Sequence, residues 1–347
     1  MKIFYAVQAT GNGHISRAMT LLPHLQQYGT VDLFLSGSNA NLELDAPVKY
    51  RSRGISLFYN CQGGLDYREM AKKINPVRIH REIRDLPVEN YDLVLNDFDY
   101  ITSAACARKK IPSVHFGHQA SFQSARVPRP EKQARAGEWV LTKFVKAPYR
   151  TGYHFEKYDT GIFEPVVKKE ILDANPVIKN HITIYLPSYC EIQLKALFEK
   201  FPDHRFHIFS RETKFIREEK NLVFLPVNRD LFSGSLIQCR GIICGAGFET
   251  PAEALHLGKK ILAIPINGQY EQLCNAAALR NTGIRCLDRI DHSFPLHFEQ
   301  WIQDKTPPVK KDYSNSIRES LDYVFSLPLR VVPEAACTLH RSPVLPC

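Results

Sequence analysis

Residues 241–276 carry the pattern that most restricts the fold. An apolar run, Gly241-Ile242-Ile243, leads into Cys244-Gly245-Ala246-Gly247, and a helix-like stretch follows from Thr250 to Leu257. A second apolar run, Ile261–Ile264, ends at Pro265, and another helix-like stretch opens near Glu271-Gln272. Short apolar runs alternating with amphipathic stretches specify buried parallel strands joined by crossover helices. The glycines let the backbone turn tightly and approach a ligand, and Pro251 suits the first turn of a helix. Free N–H groups and the positive end of a helix dipole are therefore expected at the strand end, where an anion such as a pyrophosphate can bind.

The rest of the chain repeats the theme. Ile3–Val7, Val31–Leu35, Leu93–Leu95 and Ser113–Phe116 read as strands, with helix-like stretches at Ser16–Gln27 and Ile101–Lys109. Further on, Ile182–Leu186, Arg205–Phe209 and Leu222–Phe224 read as strands, and Glu191–Lys200 and Glu271–Arg280 as helices. The expected fold is α/β, with two Rossmann-like domains facing across an interdomain cleft. Weak periodicity over Tyr149–Phe163 places the boundary there, giving domains at 1–155 and 156–310, a C-terminal helix at 311–328 and a tail at 329–347. The tail carries Pro333, Pro343 and Pro346 without a period and is expected to be poorly ordered.

Composition narrows the class. At 44% hydrophobic and 23% charged residues the chain resembles ordinary globular proteins. No run approaches the roughly 20 apolar residues of a membrane span, and Ile3–Val7 reads as a first strand rather than a leader. The nine cysteines lack CxxC or metal-ligand spacing, so reduced thiols and a cytoplasmic location are expected. The net charge of +9 favours anionic partners: nucleotide phosphates, anionic lipid or nucleic acid. The basic stretch 126–150 interleaves Arg126, Arg129, Lys132, Arg135, Lys143, Lys146 and Arg150 with Trp139, Val140, Leu141 and Phe144. One reading is a peripheral contact with the inner membrane face or an anionic acceptor. The commoner one is a helix packed on its domain with a solvated basic face. No nucleic-acid module is recognisable in it, so no nucleic-acid partner is expected.

Several side chains carry candidate chemistry. Gly11-Asn12-Gly13-His14 follows the first strand directly, although Ser16 breaks the dinucleotide-binding spacing. His14 at a helix N-terminus favours the neutral imidazole that a general base requires, or it only caps the loop. Asp97, at the end of strand Leu93–Leu95, either orients His14 as a carboxylate does in hydrolase triads or caps the following helix. His118 is expected in the acceptor cleft and His115 in packed structure. Glu253 lies one turn inside its helix and can accept both hydroxyls of a ribose; Glu271 and Gln272 can bond sugar hydroxyls. Each also has a plain reading, as a solvent-facing residue or a first-turn dipole partner.

The block from Cys244 to Leu279 resembles the donor-binding signature of GT-B glycosyltransferases. It is similar to the MurG-type N-acetylglucosaminyltransferases and to UDP-glycosyltransferases of the glucuronosyl and plant type. The shared pattern reads Gly247, Thr250, Glu253, Gly258, Pro265, Glu271, Gln272, Asn275, Ala276 here, with Lys260 in place of a usual proline. Gly11-Asn12-Gly13-His14-Ile15 resembles the N-terminal Gly-Gly-His-Ile turn, and Asp97-Phe98 the acidic segment that pairs with the catalytic histidine in plant-type members.

The resemblance implies an inverting hexosyltransferase-like enzyme without obligatory metal or other cofactor. It transfers a sugar from a nucleotide-diphosphate sugar, expected to be UDP-linked, to an acceptor hydroxyl on a lipid-linked or glycan molecule. It implies His14 as acceptor base with Asp97 as its partner; Asn12, Gly13 and His118 are expected on the acceptor side from their places at strand ends. The donor would lie on Gly245, Gly247 and Thr250, with Glu253 on the ribose and Glu271 and Gln272 on the sugar. The chain departs from the pattern in three places. Leu186-Pro187-Ser188-Tyr189-Cys190 stands where a Gly-rich phosphate loop is expected, leaving Ser188 to substitute. Gly245 replaces the histidine of plant-type enzymes, and Val227-Asn228-Arg229-Asp230 marks the expected uracil segment. The alternatives are a UDP-N-acetylglucosamine 2-epimerase and a non-catalytic nucleotide-sugar-binding module.

Overall fold

The computed structural model describes residues 1–9, 11–37, 44–55, 72 and 74–328. The tail expected at 329–347 lies outside them.

The chain begins with β1 (Lys2–Gln8), α1 (Asn12–Leu25), β2 (Thr30–Ser36), β3 (Val48–Ser52) and α2 (Pro76–Asp85). It continues through β4 (Leu93–Asp97), α3 (Tyr100–Lys109), β5 (Val114–Gly117), α4 (Arg135–Lys143), β6 (Tyr149–Tyr153) and β7 (Ile162–Phe163). These strands form one parallel sheet in the order β3-β2-β1-β4-β5-β6-β7. The sheet runs on to Phe163, past the boundary at 155–156 expected from the sequence. Tyr149–Phe163, with its weak periodicity, forms the last two strands of this sheet.

A short α5 (Lys169–Leu172) leads into β8 (Ile182–Tyr185), α6 (Glu191–Phe198), β9 (Phe206–Ser210), β10 (Arg217–Glu219), β11 (Leu222–Pro226) and α7 (Arg229–Gln238). Then come β12 (Gly241–Gly245), α8 (Glu249–His256), β13 (Lys260–Ile264), α9 (Tyr270–Asn281), β14 (Arg285–Cys286), α10 (Phe294–Gln303) and α11 (Ser316–Ser326). The second sheet has the order β10-β11-β9-β8-β12-β13-β14, parallel except for the edge pair β10–β11. The two-domain α/β expectation therefore holds.

Burial on both faces explains the apolar runs. Along β1, Phe4 and Ala6 face Phe34, Val94 and Ile101, while Ile3, Tyr5 and Val7 face Ile15, Leu21 and Phe116. In the second sheet Ile182 and Ile184 pack with Phe206, Phe298 and Trp301. Each such fully buried side chain contributes about 1.5–3 kcal/mol relative to exposure. The last helix returns to the first sheet. Tyr153 Oη donates to Ser320 Oγ at 2.9 Å, and the Tyr28 and Phe325 rings stack at 3.8 Å.

In each sheet the strand order reverses beside the first strand, at β1/β4 and at β8/β12. Such switch points leave a crevice at the carboxyl ends of the strands. His14 and Asp97 stand at the first; Ser188 and Gly245–Gly247 stand at the second.

Candidate active site

α1 starts at Asn12, so Gly13 and His14 belong to its first turn rather than to a loop before it. Arg17 lies three residues after His14, on the same helix face. Both side chains point at the end of β4. His14 Nδ1–H donates to Asp97 Oδ1 at 2.9 Å. Arg17 Nη2 donates to both Asp97 oxygens at 2.8 Å, and Arg17 Nε to Oδ2 at 3.2 Å. With its Nδ1 proton committed to Asp97, His14 keeps the Nε2 lone pair for a substrate proton.

Asp97 is free for this task because Asp99 caps α3, accepting from Thr102 N–H at 2.6 Å. The Asn96 side chain pins the turn, accepting from Asp99 N–H at 2.7 Å and donating to Asp99 O at 2.9 Å. Phe98, between them, sits at φ 60°, in the region that favours glycine. That local strain turns Asp97 back toward α1. The spacing Asp97-Phe98-Asp99 matches a two-carboxylate metal motif, but the side chains diverge to different partners. Burial alone would raise the Asp97 carboxyl; the Arg17 guanidinium and then His14 outweigh it and hold it at about 2.

The opposite wall belongs to the second sheet. α8 starts at Glu249, one residue before the expected Thr250, and Gly245, Gly247 and Thr250 line the cleft below it. Ser188, buried in the loop that follows β8, also lines the cleft. The cleft has a cavity volume of about 220 Å3 and opens to solvent at its mouth.

The remaining expected residues are more engaged than the sequence suggested. Glu253 lines the cleft, yet its carboxylate pairs with the buried Lys168 Nζ at 3.1 Å. It is neither solvent-facing nor free. Burial raises the Glu253 acid, and Lys168 opposes that rise. Glu271 accepts from Gln119 Nε2 at 2.9 Å across the cleft, and burial raises its acid too. Gln272 Oε1 accepts from Ile266 N–H at 2.9 Å and so braces the loop between β13 and α9.

His118 lines the cleft, and both of its ring nitrogens are engaged there. It is 1% exposed, with Nδ1–H donating to Tyr153 O at 2.8 Å and Nε2 lying 2.9 Å from the Asn275 side-chain amide. Its ring stacks on Phe248 at 3.9 Å. It touches the cleft wall but serves as a bridge between the two halves. Asn12 likewise reaches across, its Nδ2 donating to Tyr185 Oη at 3.3 Å. His115 is buried and stacks on Phe98, as expected of a packed residue.

Four contributors were not singled out from the sequence: Arg17, Glu249, Lys168 and Arg211. Glu249 crosses from α8 to receive Arg17 Nη1, above Gly13, where a Cβ would overlap the Glu249 carboxylate. Helical spacing from His14 was the available signal for Arg17. Lys168 precedes a four-residue helix and had none. Of the basic stretch 126–150, only Arg135–Lys143 is helical; it buries Leu141, exposes Trp139 at 61%, and lays Gly137 on the Tyr270 ring of α9. Among the described residues no helix is long and apolar enough to cross a membrane.

The profile of the family described as Glycosyl transferase family 1 matches residues 1–298. Among solved structures, MurG of Acinetobacter baumannii is 15% identical, with a TM-score of 0.54 over 94% of this chain and 99% of that one. The Arabidopsis thaliana protein UGT89C1 complexed with UDP-L-rhamnose is 13% identical, with a TM-score of 0.55 over 93% and 97%. The glycosyltransferase SnogD from Streptomyces nogalater is 14% identical, with a TM-score of 0.53 over 94% and 99%. These likenesses concern the fold. A search of the curated proteins finds no match.

Proposed function

The chain belongs to glycosyl transferase family 1, and from that premise we propose that it transfers a sugar from a UDP-sugar to an acceptor hydroxyl, with inversion and without a metal ion. The observation that carries this reading is the His14–Asp97 pair facing the α8 N-terminus across one cleft. His14 Nε2 takes the acceptor proton while the acceptor oxygen attacks the anomeric carbon. The bond from that carbon to the diphosphate oxygen breaks on the far side, so configuration inverts. Asp97 stabilises the imidazolium that forms. The departing diphosphate carries its charge to the backbone donors at Gly245–Gly247, the Thr250 hydroxyl and the α8 dipole. Asp97 and Asp99 are occupied by other partners, which favours helix and cation stabilisation of the leaving group. UDP is the nucleotide that UGT89C1 binds in its UDP-L-rhamnose complex.

Glu253 and Lys168 together are assigned to the ribose side, and Glu271 with Gln119 to the sugar. The acceptor is expected to be lipid-linked or a glycan. The exposed Trp139 and Val140 among basic residues on α4 offer it a peripheral membrane contact.

The test is a thermal-shift panel of nucleotide-sugars followed by NMR of the product anomer. A UDP-sugar should raise the melting temperature, and the anomeric configuration should invert. A panel in which no nucleotide-sugar stabilises the chain overturns the donor reading. Conversion of UDP-N-acetylglucosamine to its 2-epimer without acceptor would replace transfer by epimerisation.

A further inference from the structure

We propose that Arg17 is a positioning residue for the His14–Asp97 pair, and that Glu249, supplied by the opposite half of the chain, completes it. This rests on the reading of His14 as base.

Four observations carry the proposal. First, Arg17 is 2% exposed, so its guanidinium needs a full set of partners. It has them from two directions: both oxygens of Asp97 from β4, and the Glu249 carboxylate from the start of α8. Second, Arg17 and His14 bind the same carboxylate. Arg17 Nη2 lies 3.0 Å from His14 Nδ1, with Asp97 Oδ1 within 2.9 Å of each. The planar guanidinium therefore fixes the carboxylate plane, and through it the imidazole. Third, Gly13 has no side chain where Glu249 lies, and a Cβ there would overlap Glu249 Oε2. Fourth, Glu249 is the first residue of α8, the helix whose N-terminus is assigned to the diphosphate. One guanidinium thus ties the base to the element that holds the leaving group.

The charges around His14 make the link chemical as well as mechanical. It faces Asp97 from β4, Arg17 from its own helix, Glu249 from α8 and Glu271 from α9. His115 and His118 stand at and just after β5. Glu249 offsets the positive charge that Arg17 places beside the imidazole. Withdrawing Glu249 leaves that charge facing the imidazolium formed during transfer.

The experiment uses the full chain and two readouts. Turnover is UDP release from UDP-glucose and UDP-N-acetylglucosamine with water as acceptor, and UDP affinity is measured separately. The second readout is the 15N signature of the His14 ring, identified by its loss in His14→Gln. Arg17→Gln should lower kcat about 100-fold, the order expected for a misplaced catalytic group, with UDP affinity retained. Arg17→Lys should restore part of it. Glu249→Gln and Gly13→Ala should each lower kcat less, and neither should add to Arg17→Gln, because Glu249 acts through Arg17. The ring signature should change from the Nδ1-protonated tautomer in Arg17→Gln and shift the same way in Glu249→Gln. If Arg17→Gln does not fold, Glu249→Gln and Gly13→Ala decide alone. An unmoved ring signature, or losses that multiply in the double variants, overturns the proposal. Turnover surviving in His14→Gln removes the base reading itself, an outcome separate from the behaviour of the ring.

Discussion

A Cβ atom on Gly117 would overlap Asp97 Oδ1 and stand 3.1 Å from the Asp97 Cγ. The end of β5 therefore leaves room for the carboxylate that β4 presents to α1. The backbone of Gly117 is extended, at φ 162°, so alanine fits the chain conformation there. What Gly117 supplies is space. Gly117→Ala should push Asp97 off its shared contact with His14 and Arg17. We expect kcat to fall by about 100-fold, as for other sub-ångström to ångström misplacements of catalytic groups. UDP affinity should stay, since the donor half is untouched. Wild-type kcat in this variant would show that the placement of Asp97 does not limit the reaction.

Much of this geometry was legible in the sequence because alternating strands and helices put ligand loops at the carboxyl ends of strands. An apolar run followed by Gly11-Asn12-Gly13 or by Gly245-Ala246-Gly247 ends a buried strand at its carboxyl end, and His14 and Thr250 inherit their places from it. What stayed hidden depends on contacts distant in sequence. Lys168 and Glu253 meet through packing of α5 and α8, which no period encodes. Asp97 and Asp99 compete for one cap, and the Asn96 side chain decides between them. His118 lines the cleft because strand ends face the crevice, but its stacking on Phe248 from the other half of the chain had no signal in the sequence.

Acid should destabilise the fold well before carboxylates titrate. Burial pushes His115 down to about 4 and His118 to about 3, from an ordinary value of 6.5. In that window the unfolded chain takes up protons that the folded chain refuses. Stability is therefore lost as pH falls below about 6.5, at about 1.4 kcal/mol per pH unit for each such group. Asp97 works in a lower window. Its folded value is depressed to about 2 against an ordinary 3.8, so its contribution is present above 3.8 and lost between the two. Thermal melts from pH 7 to pH 4.5 should show a falling Tm, flattened in His115→Phe. A Tm constant across that range would mean the two rings accept protons in place.

The Lys168–Glu253 pair should behave as a buried ion pair whose members depend on each other. Lys168 is 7% and Glu253 3% exposed, and the lysine has Ser233 Oγ at 3.4 Å as its further contact. Lys168→Met leaves the Glu253 carboxylate buried beside apolar atoms, so it should cost about 3–5 kcal/mol of stability. Replacing both, with Glu253→Gln alongside Lys168→Met, should recover part of that loss. Denaturant titrations of the three variants measure the coupling. If the loss in the double variant equals the sum of the two single losses, the interaction within the pair contributes nothing to the fold. UDP affinity in Glu253→Gln then reports separately on the ribose assignment.

Arg211 is the remaining cation of the donor wall, and among the described residues its charge is uncommitted. Lys168 is paired with Glu253, Arg229 with Glu170, and Arg17 with Asp97 and Glu249. Among the described residues Arg211 has no acidic partner, and it lines the cleft just past the end of β9. The chain lacks a Gly-rich loop after β8, so fewer backbone N–H groups could approach a bound diphosphate there. A flexible guanidinium from the neighbouring strand can replace that lost charge stabilisation with bidentate bonds to a diphosphate. Arg211→Gln should weaken UDP binding about tenfold, in keeping with the loss of one charge-assisted contact at a solvent-open site. Uridine, which carries no phosphate, should bind the variant and the wild type alike. The salt dependence of UDP binding should also become shallower. Equal weakening of UDP and uridine would place Arg211 at the nucleoside instead, and the phosphates would then rest on the Gly245–Gly247 turn and α8 alone.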